Sequence, residues 1–226
     1  MSDASHDTVT ATDTGSGSGS GSASADFAGI SPTTLADLLG GDQVMDLGLR
    51  PLWTPAPHLA GPAYTVYCPP GDNLMLHAAI YRAAPGSVIV VESGGLTRAL
   101  AGGNVMQVAQ RRGVAGFVLD GVVRDIAEAR EARFPVYGRG VAPIPGAKDI
   151  ATPLNEPVQV GGVTVHPGDV VVASEEGIVV VPGERAEQVL AAARAKQARE
   201  ETETLDEWEA AHRAKIEALL AERGGR

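Results

Sequence analysis

Apolar and polar positions along the chain predict strands and helices in alternation. Val88 to Val91 form a β-branched run typical of a strand buried on both faces, and residues 115–119 form a second such run. Between them, residues 102–112 predict a helix that begins at small residues and ends at Gly113. This alternation predicts a mixed α/β domain.

Turn-forming and capping residues set the limits of other elements. Ser31-Pro32 and Gly40-Gly41 delimit a short helix, because serine caps a helix N-terminus and proline suits its first position. Ser93-Gly94-Gly95 is predicted as a loop, and the segment from Asp120 to about Arg133 as a helix.

The two ends of the chain have a different pattern from its middle. Residues 158–165 predict a hairpin with two further strands after it, and residues 184–222 have the apolar spacing of helices. Residues 1–26 contain a Gly-Ser alternation and too little apolar surface to fold. We therefore predict a disordered tail over residues 1–26 and a single domain over residues 27–226.

Charge and composition exclude several classes of protein. The 226 residues (23.2 kDa) include 28 acidic and 18 basic residues, a net charge of −10 that repels phosphate backbones and argues against nucleic-acid binding. No apolar run approaches the ~20 residues that span a bilayer, and no secretory signal pattern is present. Cys68 is the only cysteine, which excludes an internal disulfide and a cysteine-based zinc site. We expect a soluble cytoplasmic protein that binds neither nucleic acid nor membrane.

Two strand ends carry residues suited to chemistry. Glu92 to Gly95, with Gly102-Gly103-Asn104, form a corner of small residues whose amides suit a carboxylate. Arg124-Asp125 place an anion-binding guanidinium beside a hard oxygen ligand. Ordinary turns and a solvated ion pair are the alternatives. The histidines share no metal-ligand spacing, and the phosphate-loop, His-Glu-x-x-His and Gly-x-Ser-x-Gly motifs are absent.

The segment from Arg112 to Asp125 resembles the signature of the 4-hydroxy-4-methyl-2-oxoglutarate aldolases and their RraA-like relatives, the regulators of ribonuclease activity. Further matches in the same order are Pro69-Pro70-Gly71-Asp72-Asn73-Leu74, Phe134 to Val141, and Pro167 to Pro182. The resemblance implies a β/β/α fold assembled as homotrimers or hexamers, with the active site between subunits. It also implies a pyruvate aldolase that depends on Mg²⁺ or Mn²⁺ and commonly decarboxylates oxaloacetate.

The resemblance also implies roles for individual residues. Asp125 would hold the metal, Arg124 would bind the pyruvyl group and stabilise its enolate, and the amides of Gly102, Gly103, Asn104 and Val105 would receive the substrate carboxylate. Glu200 of a neighbouring subunit, with Glu201 as the second choice, would orient a water molecule.

One position departs from the family pattern. Many relatives have an acidic residue 21 positions before the signature arginine, where this chain has Gly103. Glycine cannot act as a base, and retro-aldol cleavage must remove a hydroxyl proton whereas decarboxylation needs only an electron sink. The sequence therefore predicts that oxaloacetate decarboxylation is the more robust activity, unless metal-bound hydroxide or a carboxylate of another subunit replaces the missing base.

Three functions remain open from the sequence. The first is a metal-dependent lyase acting on short 2-oxo diacids, which retention of Arg124-Asp125 favours. The second is a non-catalytic regulator that binds an RNA-processing enzyme. The third is a quinone methyltransferase, which the lack of a glycine-rich cofactor loop disfavours. The helices over residues 184–222 either pack on a neighbouring subunit or fold back on their own domain.

Overall fold

The computed structural model describes residues 27–224, so the predicted tail over residues 1–26 lies outside the described residues. The strands are β1 (Arg50–Pro51), β2 (Leu59–Tyr67), β3 (Val88–Ala99), β4 (Gly116–Val123), β5 (Val136–Val141), β6 (Val158–Val160), β7 (Val163–Val165), β8 (Val170–Ser174) and β9 (Gly177–Val181). The α-helices are α1 (Pro32–Leu39), α2 (Leu74–Ala79), α3 (Gly103–Arg111), α4 (Ile126–Glu131), α5 (Ala186–Glu200) and α6 (Leu205–Glu222).

Seven strands form one mixed sheet in the order β1-β5-β4-β3-β2-β8-β9. The central strands β2 to β5 pair in parallel, whereas β1, β8 and β9 pair antiparallel to their neighbours. Strands β6 and β7 form a separate hairpin that turns at Gly161 and Gly162, both with positive φ, as predicted.

The sheet is buried on both faces because side chains alternate along its strands. Ile89 and Val91 of β3 pack against α2, α3 and α4, while Val88 and Val90 point to the β6–β7 hairpin. Helices α1 and α5 cover the antiparallel strands β8 and β9. The resulting hairpin, sheet and helix layers confirm the predicted α/β class and the β/β/α arrangement.

Two predicted boundaries are wrong. Strand β3 continues through the predicted loop at Ser93-Gly94-Gly95, and Gly95 pairs with Gly121 of β4. Strand β4 continues past Asp120 to Val123, so the helix begins only at Ile126. A carboxylate is stable within this strand because Asp120 Oδ1 accepts a hydrogen bond of 2.7 Å from Arg139 Nε of β5.

The C-terminal segment predicted over residues 184–222 consists of two helices. Helix α6 begins at a capping box in which Thr204 and Glu207 bond each other's main-chain amides. No residue of α6 is buried, so the alternative in which it folds back on its own domain is wrong. Within residues 27–224, no helix combines the length and apolar character needed to span a membrane.

Candidate active site

A pocket of about 120 Å³ opens where β3 and β4 end and α3 begins, which limits its ligand to a small molecule. Residues 101–105 line one side of it, and six charged or polar side chains come from three other segments. These side chains are Asn73, His77, Arg124, Asp125, Glu128 and Lys148. The pocket therefore collects the predicted residues Gly102, Gly103, Asn104, Val105, Arg124 and Asp125.

Arg124 and Asp125 occupy the turn between β4 and α4. Asp125 adopts the left-handed conformation (φ 58°, ψ 38°), which aspartate tolerates better than most residues and which ends the strand abruptly. Its Oδ2 accepts a hydrogen bond of 3.0 Å from the Gly103 amide and lies 3.3 Å from Arg124 Nε. The turn thus fixes a carboxylate and a guanidinium beside the first turn of α3.

Gly102 and Gly103 have no side chain at the two points where this packing is tightest. A Cβ at Gly102 would lie 2.5 Å from Asp125 Oδ2 and 3.0 Å from Arg124 Nε. Gly102 caps α3 without a side-chain hydrogen bond, and the amides of a first helical turn lack intrahelical partners. Small residues here leave the start of α3 accessible to an anion.

Glu128 is a pocket residue that the sequence interpretation missed. Its Oε2 lies 1.8 Å from where a Cβ of Gly103 would be, so its carboxylate fills the space of a side chain at residue 103. Gln107 Nε2 of α3 donates a 3.2 Å hydrogen bond to the same oxygen. Although Gly103 itself cannot act as a base, Glu128 places a carboxylate beside it. The available signal was the position of Glu128 three residues after Asp125, on the same side of a helix.

A second wall of the pocket is held in place by Asp72. Its carboxylate accepts hydrogen bonds from the amides of Leu74 (2.9 Å), Asp149 (2.6 Å) and Ile150 (3.2 Å). Burial alone would raise the pKa of Asp72, but these amides and the charge of Lys148 hold it below its usual value. The segment carrying Asn73 is thereby joined to the loop carrying Lys148.

His77 and Lys148 line the same wall of the pocket, and the positive charge of Lys148 acts on His77. Burial, followed by the positive charge of Lys148, lowers the pKa of His77, so the imidazole is neutral at neutral pH. The sequence interpretation regarded His77 as structural or exposed, whereas the structure places it in the pocket.

Other predicted site residues lie elsewhere. Glu200, at the end of α5, forms an ion pair with Lys196 and lines a different surface depression with Arg199 and Glu203. The same chain therefore does not bring Glu200 to Arg124 and Asp125, and its action on a neighbouring subunit stays a prediction. Of the predicted corner, Gly102 to Asn104 line the pocket but Glu92 to Gly95 do not, and Glu92 Oε2 instead accepts a hydrogen bond from the Gln159 amide of β6.

A family model described as RraA-like, Aldolase/RraA, matches residues 27–180 of the chain. The chain belongs to the RraA-like family. The match contains every element that lines the pocket and ends before α5 and α6.

Relatives of this RraA-like protein include proteins named for the first two of the three functions that the sequence left open. It is 39% identical over 176 residues to a Halalkalibacterium halodurans protein named "Putative 4-hydroxy-4-methyl-2-oxoglutarate aldolase", covering 77% of this chain and 83% of the relative. A solved structure titled as the RNA-processing inhibitor RraA from Thermus thermophilus is 31% identical, with a TM-score of 0.61 over 67% of this chain and 92% of that one. Streptomyces coelicolor RraAS2, titled an unusual member of the RNase ES inhibitor RraA family, is 29% identical, with a TM-score of 0.70 over 80% and 96% of the two chains.

The carboxylates of the RraA-like pocket suit one class of metal ion. Residues 27–224 contain no group of three or more His, Cys, Asp or Glu side chains that could enclose an ion. Mg²⁺ is commonly bound through one or two carboxylates while water and substrate oxygens complete its shell. Asp125, with Glu128 in the same pocket, fits that pattern, and a zinc-type cage does not.

Proposed function

We propose that this RraA-like protein is a divalent-metal-dependent carbon–carbon lyase that converts short 2-oxo diacids to pyruvate. One observation carries the proposal: the start of α3, the guanidinium of Arg124 and the carboxylates of Asp125 and Glu128 converge on one small pocket. This combination offers an anion site, a fixed positive charge and a proton acceptor at one place.

Each protein group has a distinct role in binding. The amides of Gly102, Asn104 and Val105 receive the substrate C1 carboxylate, since the Gly103 amide already donates to Asp125. Arg124 lies where negative charge develops on the C2 oxygen. Asp125 holds Mg²⁺ or Mn²⁺, which when bound polarises the 2-oxo group. The hydrogen bond from Gly103 to Asp125 keeps the metal-binding carboxylate fixed relative to the anion site.

Two reactions share the resulting pyruvate enolate. In retro-aldol cleavage, Glu128 accepts the C4 hydroxyl proton, the C3–C4 bond breaks, and its electron pair forms the enolate while C4 becomes a carbonyl. In oxaloacetate decarboxylation, the C3–C4 bond breaks with loss of CO₂ and needs no hydroxyl deprotonation. Glu128 supplies the base that Gly103 lacks, so we expect both reactions. The predicted preference for decarboxylation stays untested.

The neighbouring subunit completes the proposal. As the family resemblance implies, we propose a homotrimer or hexamer in which Glu200 of another copy reaches this pocket. In support, Glu200 is half-exposed on its own chain and lies apart from the pocket of that chain.

The test is pyruvate release coupled to lactate dehydrogenase and NADH oxidation. Oxaloacetate and 4-hydroxy-4-methyl-2-oxoglutarate are each assayed with Mg²⁺, with Mn²⁺ and with EDTA, and metal-catalysed loss of CO₂ without protein is subtracted. We expect protein-dependent release of pyruvate that EDTA abolishes. No protein-dependent release from either substrate contradicts the proposal.

A non-catalytic regulator is the second candidate, favoured by the structural likeness to proteins titled as RNA-processing inhibitors. It predicts binding to an RNA-processing enzyme that persists in Asp125→Ala and in EDTA. The lyase predicts that these two changes abolish pyruvate release.

A further inference from the structure

One end of the helix layer carries a cluster of arginines. Because β2 to β5 pair in parallel, the helices that connect them end at the same edge of the sheet. Helices α2, α3 and α4 end there, at Ala79, Arg111 and Glu131. The residues at these three ends include a set of exposed side chains that we name the arginine end: Tyr81, Arg82, Arg111, Arg112, Arg130 and Arg133.

Hydrogen bonds join the three segments of the arginine end into one surface. Arg112 donates from Nε to Ile80 O (2.9 Å) and from Nη2 to Tyr81 O (3.1 Å), and its guanidinium lies 5.3 Å from the centre of the Tyr81 ring. Gln110 Nε2 donates a 2.8 Å hydrogen bond to Ala132 O. The end of α3 is thereby attached to the ends of both α2 and α4.

The positive charge of the arginine end has no counterpart on its own chain. Within residues 27–224, none of its five guanidinium groups lies within ion-pair distance of a carboxylate. Segments 80–86, 110–114 and 130–134 include one acidic residue, Glu131, in a chain whose net charge is −10. Helix C-termini favour nearby cations but do not neutralise them. A surface whose charge is opposite to that of the whole protein indicates an acidic partner.

The link between α5 and α6 has the complementary character. Glu201 and Glu203 are exposed, and neither forms an ion pair in the part of the chain that the structure describes. Leu205 and Trp208 follow on α6 and are 77% and 48% exposed. Asp206 instead lies in the first turn of α6, where its charge stabilises the helix locally. Glu201, Glu203, Leu205 and Trp208, which we name the acidic link, combine carboxylates with side chains that pack well on guanidinium and aromatic groups.

We propose that the acidic link of one copy docks on the arginine end of a second copy of this chain. Glu201 and Glu203 then meet the guanidinium groups of Arg111 and Arg130, and Trp208 packs beside Tyr81. A second copy is the occupant because each chain carries both complementary surfaces, and α6 contributes no buried residue to its own fold. The contact goes beyond the proposed lyase and needs no catalytic activity.

The position of the arginine end also gives this contact a relation to the pocket. A depression between α3 and α4 is lined by Gln107, Arg111 and Glu128, and Glu128 lines the pocket as well. Helix α3 has nine residues and is about 13 Å long, a distance that the eight residues from Glu201 to Trp208 can span. Docking of the acidic link would therefore bring Glu200 of the second copy towards the pocket of the first.

Cross-linking of a chain with two introduced cysteines tests the contact. The native Cys68 is buried, and burial raises the pKa of its thiol to about 11, so it reacts poorly. Ala84→Cys places a thiol at the arginine end and Thr202→Cys places one in the acidic link, and both positions are exposed and uncharged. A short bismaleimide reagent then joins copies where the two surfaces meet.

We expect the doubly substituted chain to give a series of covalent products of two and more chains on a denaturing gel. Either substitution alone leaves one thiol per surface pair and gives no product beyond two chains. Ala84→Cys combined with Asp42→Cys, an exposed position outside the acidic link, is the matched control and should give no such series. Products confined to single chains, or the same series from the control, overturn the proposal.

Charge reversal in the doubly substituted chain shows whether the opposite charges cause the contact. Arg111→Glu with Arg130→Glu should lower the yield of joined copies about tenfold, and so should Glu201→Arg with Glu203→Arg, because each pair places like charges together. All four substitutions in one chain restore opposite charges and should recover most of the yield, which a misfolded variant would not do. An unchanged yield in either reversed pair, or no recovery in the combined variant, overturns the proposal.

Other occupants of the arginine end give different results. A fluorescein-labelled polyglutamate peptide and a labelled oligouridylate are each titrated against the parent protein and against Arg111→Glu with Arg130→Glu. Binding of either probe that needs these arginines, without cross-linking between copies, overturns the second copy as occupant. The cross-linking uses no substrate, so failure of this contact is distinguished from failure of the lyase to release pyruvate.

Discussion

The pocket depends on tertiary contacts between distant segments of the chain, whereas helix α6 does not. In the pocket, Gly103 contacts residues of α4 more than 20 positions away, and Asp72 contacts the loop at 149–150, 77 positions away. Helix α6 is defined by its own capping box and contributes no buried residue, with Leu205 77% and Trp208 48% exposed. A catalytic arrangement needs distant segments to meet, whereas an isolated helix needs only neighbouring residues.

The largest expected effect is the loss of pyruvate release in the pocket variant Asp125→Ala. Loss of the carboxylate that is proposed to hold the metal, and that accepts the hydrogen bond of the Gly103 amide, should lower pyruvate release by about 100-fold to 1,000-fold, the range for losing a key electrostatic group. The coupled assay with saturating Mg²⁺ measures it. Asp206→Ala on α6 is the matched control, and equal activity of the two variants contradicts the assigned role.

Glu128→Gln should have the next largest effect. Removing the proposed proton acceptor while keeping its shape should slow aldol cleavage about 100-fold, at the lower end of general-base contributions, and slow decarboxylation much less. The ratio of the two rates measures it, with Glu131→Gln of the same helix as the control. An unchanged ratio would show that Glu128 is not the base.

Asp72→Asn should affect stability in a pH-dependent way. Weakening the three partly buried hydrogen bonds that Asp72 accepts from main-chain amides should make the variant about 1–3 kcal/mol less stable at pH 7. Because the fold lowers the pKa of Asp72, this stabilisation is present above the pKa of about 3.9 in the unfolded chain and is lost as the pH falls through the lower folded value. Urea unfolding at pH 7, 5 and 3 measures it. A difference between the proteins that is constant to pH 3 contradicts this account.

The smallest effect should come from removing α6. Among residues 204–224, which the structure describes, ending the chain after Glu203 deletes no buried residue, so the melting temperature should change by less than about 2 °C at low protein concentration. A larger fall that depends on protein concentration would show that α6 packs on another copy. A larger fall in melting temperature that is independent of protein concentration would contradict the view that α6 makes no stabilising contact within its own chain.

Much of the fold followed from local patterns. The valine-rich runs of β3, β8 and β9, the Gly161-Gly162 turn and the Ser31-Pro32 helix start were predicted because buried strands, tight turns and caps have residue requirements within a few positions. The ends of β3 and β4 were mispredicted because pairing with neighbouring strands overrode the turn preference of Ser93 to Gly95 and of Asp120.

The sequence by itself determined the α/β class, the hairpin and the helix caps, and through its resemblance it indicated Arg124 and Asp125 as candidate site residues. Only the tertiary structure decided that Glu128 fills the space above Gly103 and that Asn73, His77 and Lys148 line the same pocket. The reason is physical: periodicity and capping act over a few residues, whereas the position of a carboxylate in a pocket depends on how separate strands and loops pack across the sheet.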